Sequence, residues 1–244
     1  GVDLLLVAAL QVLSYPFHDP VLTDRGFITD ERRMLRAFVW AGLLGFACIL
    51  LFSLVGVHAR LEGIAGGDNV PAALARSMGP AALFVMTIVM VAAAGSTLDS
   101  TFSSVARHVA QELPQLAGRP EPVRAIGVGM LAMAAIALFG NIPMIAGTDI
   151  LKATTISGTM VIGLAPIFLL AGFTQPGTRA AAWSFHLAFW TGMVLGVLLA
   201  AGLIPDSWAI GSGKYAKLLG VNLYGLLLCT AGYLLPSLLT RRAT

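Results

Sequence analysis

Between Val91 and Ser104 an otherwise apolar run carries six hydroxyls and one carboxylate: Ser96, Thr97, Asp99, Ser100, Thr101, Ser103 and Ser104. At about 100° per residue, Ser96, Thr97, Asp99, Ser100, Ser103, Ser104 and Arg107 fall within an arc of roughly 160° of a helix, with Ala93 on the same face one turn earlier. Leu98, Phe102, Val105 and Val109 take the other side. The polar face offers oxygen ligands and no His or Cys, so it has no transition-metal character. Hydroxyls beside a carboxylate suit a hard cation, sodium first, with a proton carried on Asp99 as the alternative. The same residues also suit helix–helix adhesion, in which hydroxyls bond their own backbone carbonyls and Asp99 meets a basic group elsewhere.

The setting decides how much this face means. The chain has 244 residues, 57% hydrophobic and only 11% charged, with mean hydropathy +0.86. A soluble domain is about 25% charged, so the deficit points to a polytopic membrane protein of roughly seven spans of ~20 residues. Inside a bilayer an ionisable side chain marks a functional site by default. The net charge of +3 is read from its placement along the chain and implies no nucleic-acid partner. Cys48 and Cys229 lie in apolar runs without metal-ligand spacing. No nucleophile–base pair, metal cluster or phosphate loop is apparent, which argues against an enzyme and against any cofactor. The chain opens Gly1-Val-Asp with no initiator Met, and is expected to be part of something longer.

The elements that must position the polar face follow from punctuation and hydropathy. Residues 1–20 read as the end of a broken helix: 2–14 are apolar but too short to span, and Pro16 and Pro20 interrupt the helix around His18 and Asp19. Two readings of that interruption stay open, a break at membrane depth or a helix end at the interface with His18 and Asp19 solvated. Membrane helices are expected at 37–57, 80–113, 123–140, 149–173, 180–203 and 216–239, in one transmembrane domain over 1–244. The segment 58–79 holds a short amphipathic helix at Val70–Ser77 with Pro71 in its first turn. The 80–113 segment is too long for one crossing and is expected to tilt or to project into water.

Loop charges orient the chain. Arg25, Arg32, Arg33 and Arg36, then Arg107, Arg119 and Arg124, then Arg179, then Arg241 and Arg242 occupy alternate loops. The opposite side holds Arg60, Arg76, Lys152, Lys214 and Lys217. The positive-inside rule puts the first set, with the C-terminus, in the cytoplasm. A multi-pass protein of the cell (inner) membrane is expected.

Ala93-Ala-Gly-Ser-Thr-Leu98 followed by a Ser-rich turn resembles the eighth core helix of the sodium:solute symporter family, carriers of proline, pantothenate, sugars and sialic acid. The resemblance implies the C-terminal part of such a carrier: an all-α membrane protein, the second half of an inverted-repeat, five-plus-five-helix fold with accessory C-terminal helices. It implies sodium-coupled symport of a small organic solute, with Na+ the coupling ion. By that likeness Ala93, through its carbonyl, and Ser96 and Thr97, through their hydroxyls, bind sodium, while Asp99 and Ser100 stand where some members hold an additional cation. Asp99 departs from the hydroxyl usual there. Tyr15-Pro-Phe-His-Asp-Pro20 with Thr23-Asp-Arg25 resembles the discontinuous sixth core helix and its cytoplasmic exit, which makes Tyr15, Phe17, His18 and Asp19 substrate or gating residues, although the family's Asn-Gln and Gln-Arg signatures are not matched there. The 58–79 segment corresponds to an external lid. Thr154-Thr-Ile-Ser-Gly-Thr159 resembles the opening of the tenth core helix and adds Thr155 and Ser157 to the cavity wall. The likeness is specific around 93–104 and otherwise rests on order and topology. It also implies that the first repeat, with the remaining sodium ligands, lies outside this chain, so the 244 residues alone are expected not to transport. A proton-coupled carrier on the same scaffold and a non-transporting membrane sensor or scaffold are the alternatives.

Overall fold

Proline decides where the first helix stops. In a continuous helix the ring of Pro16 would collide with the carbonyl four residues back, that of Val12. In the computed structural model the first helix, α1 (Val2–Gln11), ends there, and a turn leads into the four-residue α2 (Tyr15–His18), which accommodates Pro16 in its first turn. Backbone bonds tighten across the junction, Leu13 N–H to Leu10 O at 3.3 Å and Ser14 N–H to Gln11 O at 3.1 Å. The interruption expected at Ser14–Pro20 therefore begins earlier, at Val12, and the helix stops again at Asp19, whose backbone is extended; Pro20 lies outside the described residues.

The structure describes residues 1–19, 22, 30–64, 69–119, 122, 124–145, 150–174 and 177–241. The helices that follow are α3 (Glu31–Leu61), α4 (Val70–Ser77), α5 (Pro80–Arg107), α6 (Ala125–Phe139), α7 (Ile150–Met160), α8 (Leu164–Leu169), α9 (Arg179–Ala200) and α10 (Ala216–Arg241). No strand occurs among the described residues. A π-helical turn (His108–Glu112) and a last short turn carry α5 on to Leu116.

Among the described residues five helices are long and apolar enough to cross a membrane: Glu31–Leu61, Pro80–Leu116, Leu151–Leu169, Arg179–Ala200 and Ala216–Leu239. Seven had been expected. Val2–Gln11 and Ala125–Phe139 are apolar but only 10 and 15 residues long, about 15 and 22 Å at ~1.5 Å per residue, short of a ~30 Å hydrocarbon core. The helix expected at 37–57 starts earlier, at Glu31, because Glu and Arg are good helix formers and continue the turn through the polar approach. The 37 residues of Pro80–Leu116 reach about 55 Å, so this helix exceeds one crossing, as its length in the sequence implies.

The chain forms two compact units, residues 1–23 with 146–244 and residues 24–145. The first is built around α9, whose buried face presents Ser184, Ala188, Gly192 and Gly196, four residues apart, with Leu195 beside them. A Cβ on Gly192 would stand 2.8 Å from the Met160 carbonyl oxygen and 2.9 Å from the Gly163 nitrogen. The backbones meet there. Lipid supplies no hydrophobic drive between helices, so close approach of small residues and interhelical hydrogen bonds must hold them. Ile162, Ala188, Cys229 and Tyr233 form one buried cluster, and Leu195, Ile204 and Val221 a second.

In the second unit α4 lies against α3 and α5, capped by Asn69, whose Oδ1 accepts from Ala72 N–H at 3.1 Å, with Pro71 in the first turn. The far end of α5 packs on α6, where a Cβ on Gly129 would touch Ala106 Cβ at 3.2 Å and Ser104 is buried. Most of α3 and α5 is exposed: their most apolar windows contain no buried residue.

Candidate functional site

The residues singled out by sequence fall in both units. Ala93, Ser96, Thr97, Asp99 and Ser100 sit on α5 of the second unit; Ala93, Ser96, Thr97 and Asp99 are exposed, and Ser100 is half-buried. Thr97 Oγ1 donates to Ala93 O at 3.2 Å, the four-residue back-bond open to any helical Thr. Ser100 Oγ donates to Thr97 O at 3.0 Å and lies 3.4 Å from Ser96 O, while Thr101 Oγ1 donates to Thr97 O at 2.9 Å. These bonds satisfy the hydroxyl protons locally and leave the oxygen lone pairs outward. The side chains of Ser96 and Asp99 have no hydrogen-bond or ion-pair partner among the described residues. Two oxygens held at right angles on a hard cation at about 2.4 Å stand about 3.4 Å apart. The Ala93 O–Thr97 Oγ1 pair at 3.2 Å therefore has the spacing of neighbouring ligands.

One turn beyond the stripe, the backbone widens into the π turn. Arg107 Nε reaches Glu112 Oε1 at 2.9 Å and His108 Nε2 lies 3.5 Å from Glu112 Oε2, while His108 Nδ1 is 2.8 Å from Ser104 O. The basic end of the polar face is thus tied to Glu112, five residues from Arg107.

Tyr15, Phe17, His18 and Asp19 belong to the first unit, at α2 and its end. His18 Nδ1 meets the Tyr15 carbonyl, and the Tyr15 and His18 rings stand edge to face with centroids 4.4 Å apart. Phe17 stacks on Phe168 of α8 at 4.5 Å and 11°. The short helix thus sets the half-buried Phe17 ring against α8 and leaves Tyr15 exposed. Thr23, Asp24 and Arg25, expected to form the exit of the broken helix, lie outside the described residues. Thr155 is half-buried and Ser157 exposed on α7; Thr155 Oγ1 donates within its own helix, 2.8 Å from Leu151 O.

What sequence reasoning missed is how this group is held. Gln11, the last residue of α1, donates through Nε2 to Thr155 O at 2.9 Å and to Asn222 Oδ1 of α10 at 3.1 Å. Asn222 Nδ2 in turn donates to Thr159 Oγ1 at 3.1 Å and to Leu218 O at 2.9 Å, and Thr159 Oγ1 donates to Thr155 O at 2.9 Å. Both amide nitrogens spend both protons, which fixes the orientation of each amide. Asn222 and Thr159 are fully buried. Gly158 makes room, since a Cβ there would collide with the Gln11 amide. One side-chain amide therefore ties α1, and with it the Tyr15–Asp19 turn, to α7 and α10. A signal was present in the sequence: Asn222 is a polar residue in the middle of an apolar span, the kind of residue that faces a bundle interior.

The arrangement can present oxygen ligands from one membrane helix and carry an aromatic-rich turn on a rigid frame. Among the described residues no group of His, Cys, Asp and Glu is placed to hold a metal ion. No family model, curated protein or solved structure matches this chain.

Proposed function

We propose that this chain is the second repeat and accessory helices of a sodium-coupled secondary carrier of a small organic solute, working within a longer protein of the sodium:solute symporter type. Sodium would be bound by the Ala93 carbonyl and the Ser96 and Thr97 hydroxyls, in a cell membrane with the C-terminus cytoplasmic. The observation that carries this reading is the exposed oxygen face of α5: a helix long and apolar enough to cross a membrane that shows Ser96, Thr97 and Asp99 outward. Such groups in a bilayer need a partner helix, water or an ion. For an ion to be held there the Thr97 hydroxyl proton would turn away from Ala93 O, and the remaining ligands would come from outside this chain. Tyr15, Phe17, His18, Asp19, Thr155 and Ser157 would serve substrate binding and gating from the rigid side. Sodium and solute would then be linked through one conformational equilibrium, each favouring the state that binds the other.

The test is uptake by the protein that contains this chain, reconstituted in liposomes under imposed gradients. A sodium gradient alone should drive accumulation, and Thr97→Val should raise the sodium concentration that half-saturates it by about tenfold or more. Accumulation that ignores sodium would remove the ion assignment. Asp99 favours a second reading, proton coupling, because its carboxylate is exposed on a membrane helix with no partner among the described residues. Flux driven by a pH gradient alone and lost in Asp99→Asn would select that reading.

A further inference from the structure

A cavity of about 330 Å³ opens on the first unit at the place where three membrane helices end together, the start of α7, the end of α9 and the start of α10. Its volume is within the range of small-molecule sites. Lys152, Lys214 and Lys217 ring it, and Leu151, Ile156 and Leu199 form its wall. Lys217 is committed to Asp206, Nζ to Oδ1 at 2.9 Å. Lys152 and Lys214 have no ion pair among the described residues, and Lys214 Nζ stands 5.6 Å from the centroid of the Tyr215 ring. Among the described residues Asp3 is a further carboxylate nearby, and it is directed at Gly213. Tyr215 beside the cavity, with Trp208 on the adjoining turn, is the residue type that settles at the boundary between acyl chains and head groups.

An apolar wall under two ammonium groups that have no ion pair among the described residues, at a membrane boundary, complements one kind of molecule: an apolar chain ending in an anion. We infer that this cavity is a binding site for an anionic phospholipid, its phosphate between Lys152 and Lys214 and an acyl chain along Leu151, Ile156 and Leu199. The site is separate from the proposed ion site on α5; it shares Thr155 with the proposed substrate residues, but the lipid assignment rests on the lysines and the apolar wall and not on the transport reading. Lysines near a membrane surface attract anionic head groups, and by the loop charges Lys152 and Lys214 would meet those of the outer leaflet. Lipid is also the ligand already present at high local concentration. The wall distinguishes this site from a bare phosphate site, because inorganic phosphate would leave the apolar surface uncovered.

The full chain, purified in a neutral detergent, is titrated with phosphatidylglycerol, with phosphatidylcholine of the same chains, and with inorganic phosphate, and bound lipid is counted by native mass spectrometry. With two lysines engaged, phosphatidylglycerol should be retained about tenfold or more over phosphatidylcholine. K152Q/K214Q should reduce that ratio to near one, while R60Q/R76Q in the other unit should leave it unchanged. Leu151→Trp, which fills the groove and keeps both lysines, should also lower retention and provides the test if the double variant does not fold. Equal retention of the two lipids, insensitivity to both K152Q/K214Q and L151W, or an equal loss in R60Q/R76Q would overturn the site. Full competition by inorganic phosphate, with L151W binding normally, would overturn the lipid assignment.

Discussion

The two units treat their polar groups in opposite ways. In residues 1–23 and 146–244, the apolar windows of the three long helices are 39%, 28% and 39% buried; in residues 24–145 the two corresponding windows are 0% buried. The first unit has folded its amides inward, with Gln11, Asn222 and Thr159 satisfying one another. The second displays Ser96, Thr97 and Asp99 on an open helix face. A bilayer allows both arrangements for different reasons: internal hydrogen bonds replace water in one, and a partner or an ion must replace it in the other. Rigidity and availability are thus segregated along the chain, and mutations in the two regions should read out differently.

The largest effect is expected where backbones touch. Gly192→Val sets a branched side chain against the Met160 carbonyl, already 2.8 Å from the position of a Cβ, and should lower unfolding free energy by about 3 kcal/mol, read from the thermal midpoint in detergent. A variant that melts with the parent would mean that α9 and α7 do not meet as closely as described. Next comes Asn222→Ala. It removes the acceptor of Gln11 and the donor to Thr159, and should cost about 1–2 kcal/mol by the same measurement, with Gln11→Ala less than additive to it because both act on one network. Additive losses would break the claimed link between α1 and α10.

In the second unit the expected stability effects nearly vanish. Thr97→Val removes a hydroxyl that bonds only its own helix, and the midpoint should shift by less than about 0.5 kcal/mol equivalent. A loss as large as that of Asn222→Ala would show Thr97 to be structural glue. Asp99→Asn should be smallest of all in stability, and any change in the ion that drives flux would be its only readout.

Much of this was legible before any coordinates. Apolar length located the long apolar helices, and Pro71 marked the first turn of a helix that the structure keeps. The stop of α1 was misplaced because a proline acts four residues upstream, on Val12, as well as at its own position. Fewer helices reach spanning length among the described residues than the roughly seven segments expected, in part because Ala125–Phe139 is apolar throughout but short. The Gln11–Asn222 contact joins residues 211 apart, a separation at which no local periodicity carries information. The four-residue spacing of Ser184, Ala188, Gly192 and Gly196, by contrast, was written in the sequence and signals a packing face. On α5 the pattern put the hydroxyls on one side of a helix, but a sequence cannot distinguish hydroxyls bonded to their own carbonyls from hydroxyls awaiting an ion, since in the structure the same Thr97 oxygen does the first and has the spacing for the second.

The most direct test of the sodium half-site is equilibrium binding of radioactive sodium to the protein that contains this chain, in parent, Ser96→Ala and Thr97→Val forms whose melting is matched. Each substitution removes one ligand, and affinity should fall by about tenfold or more, the effect of losing roughly 1.4 kcal/mol of binding free energy. Unchanged sodium affinity in both variants would contradict the assignment of Ala93, Ser96 and Thr97 as ion ligands.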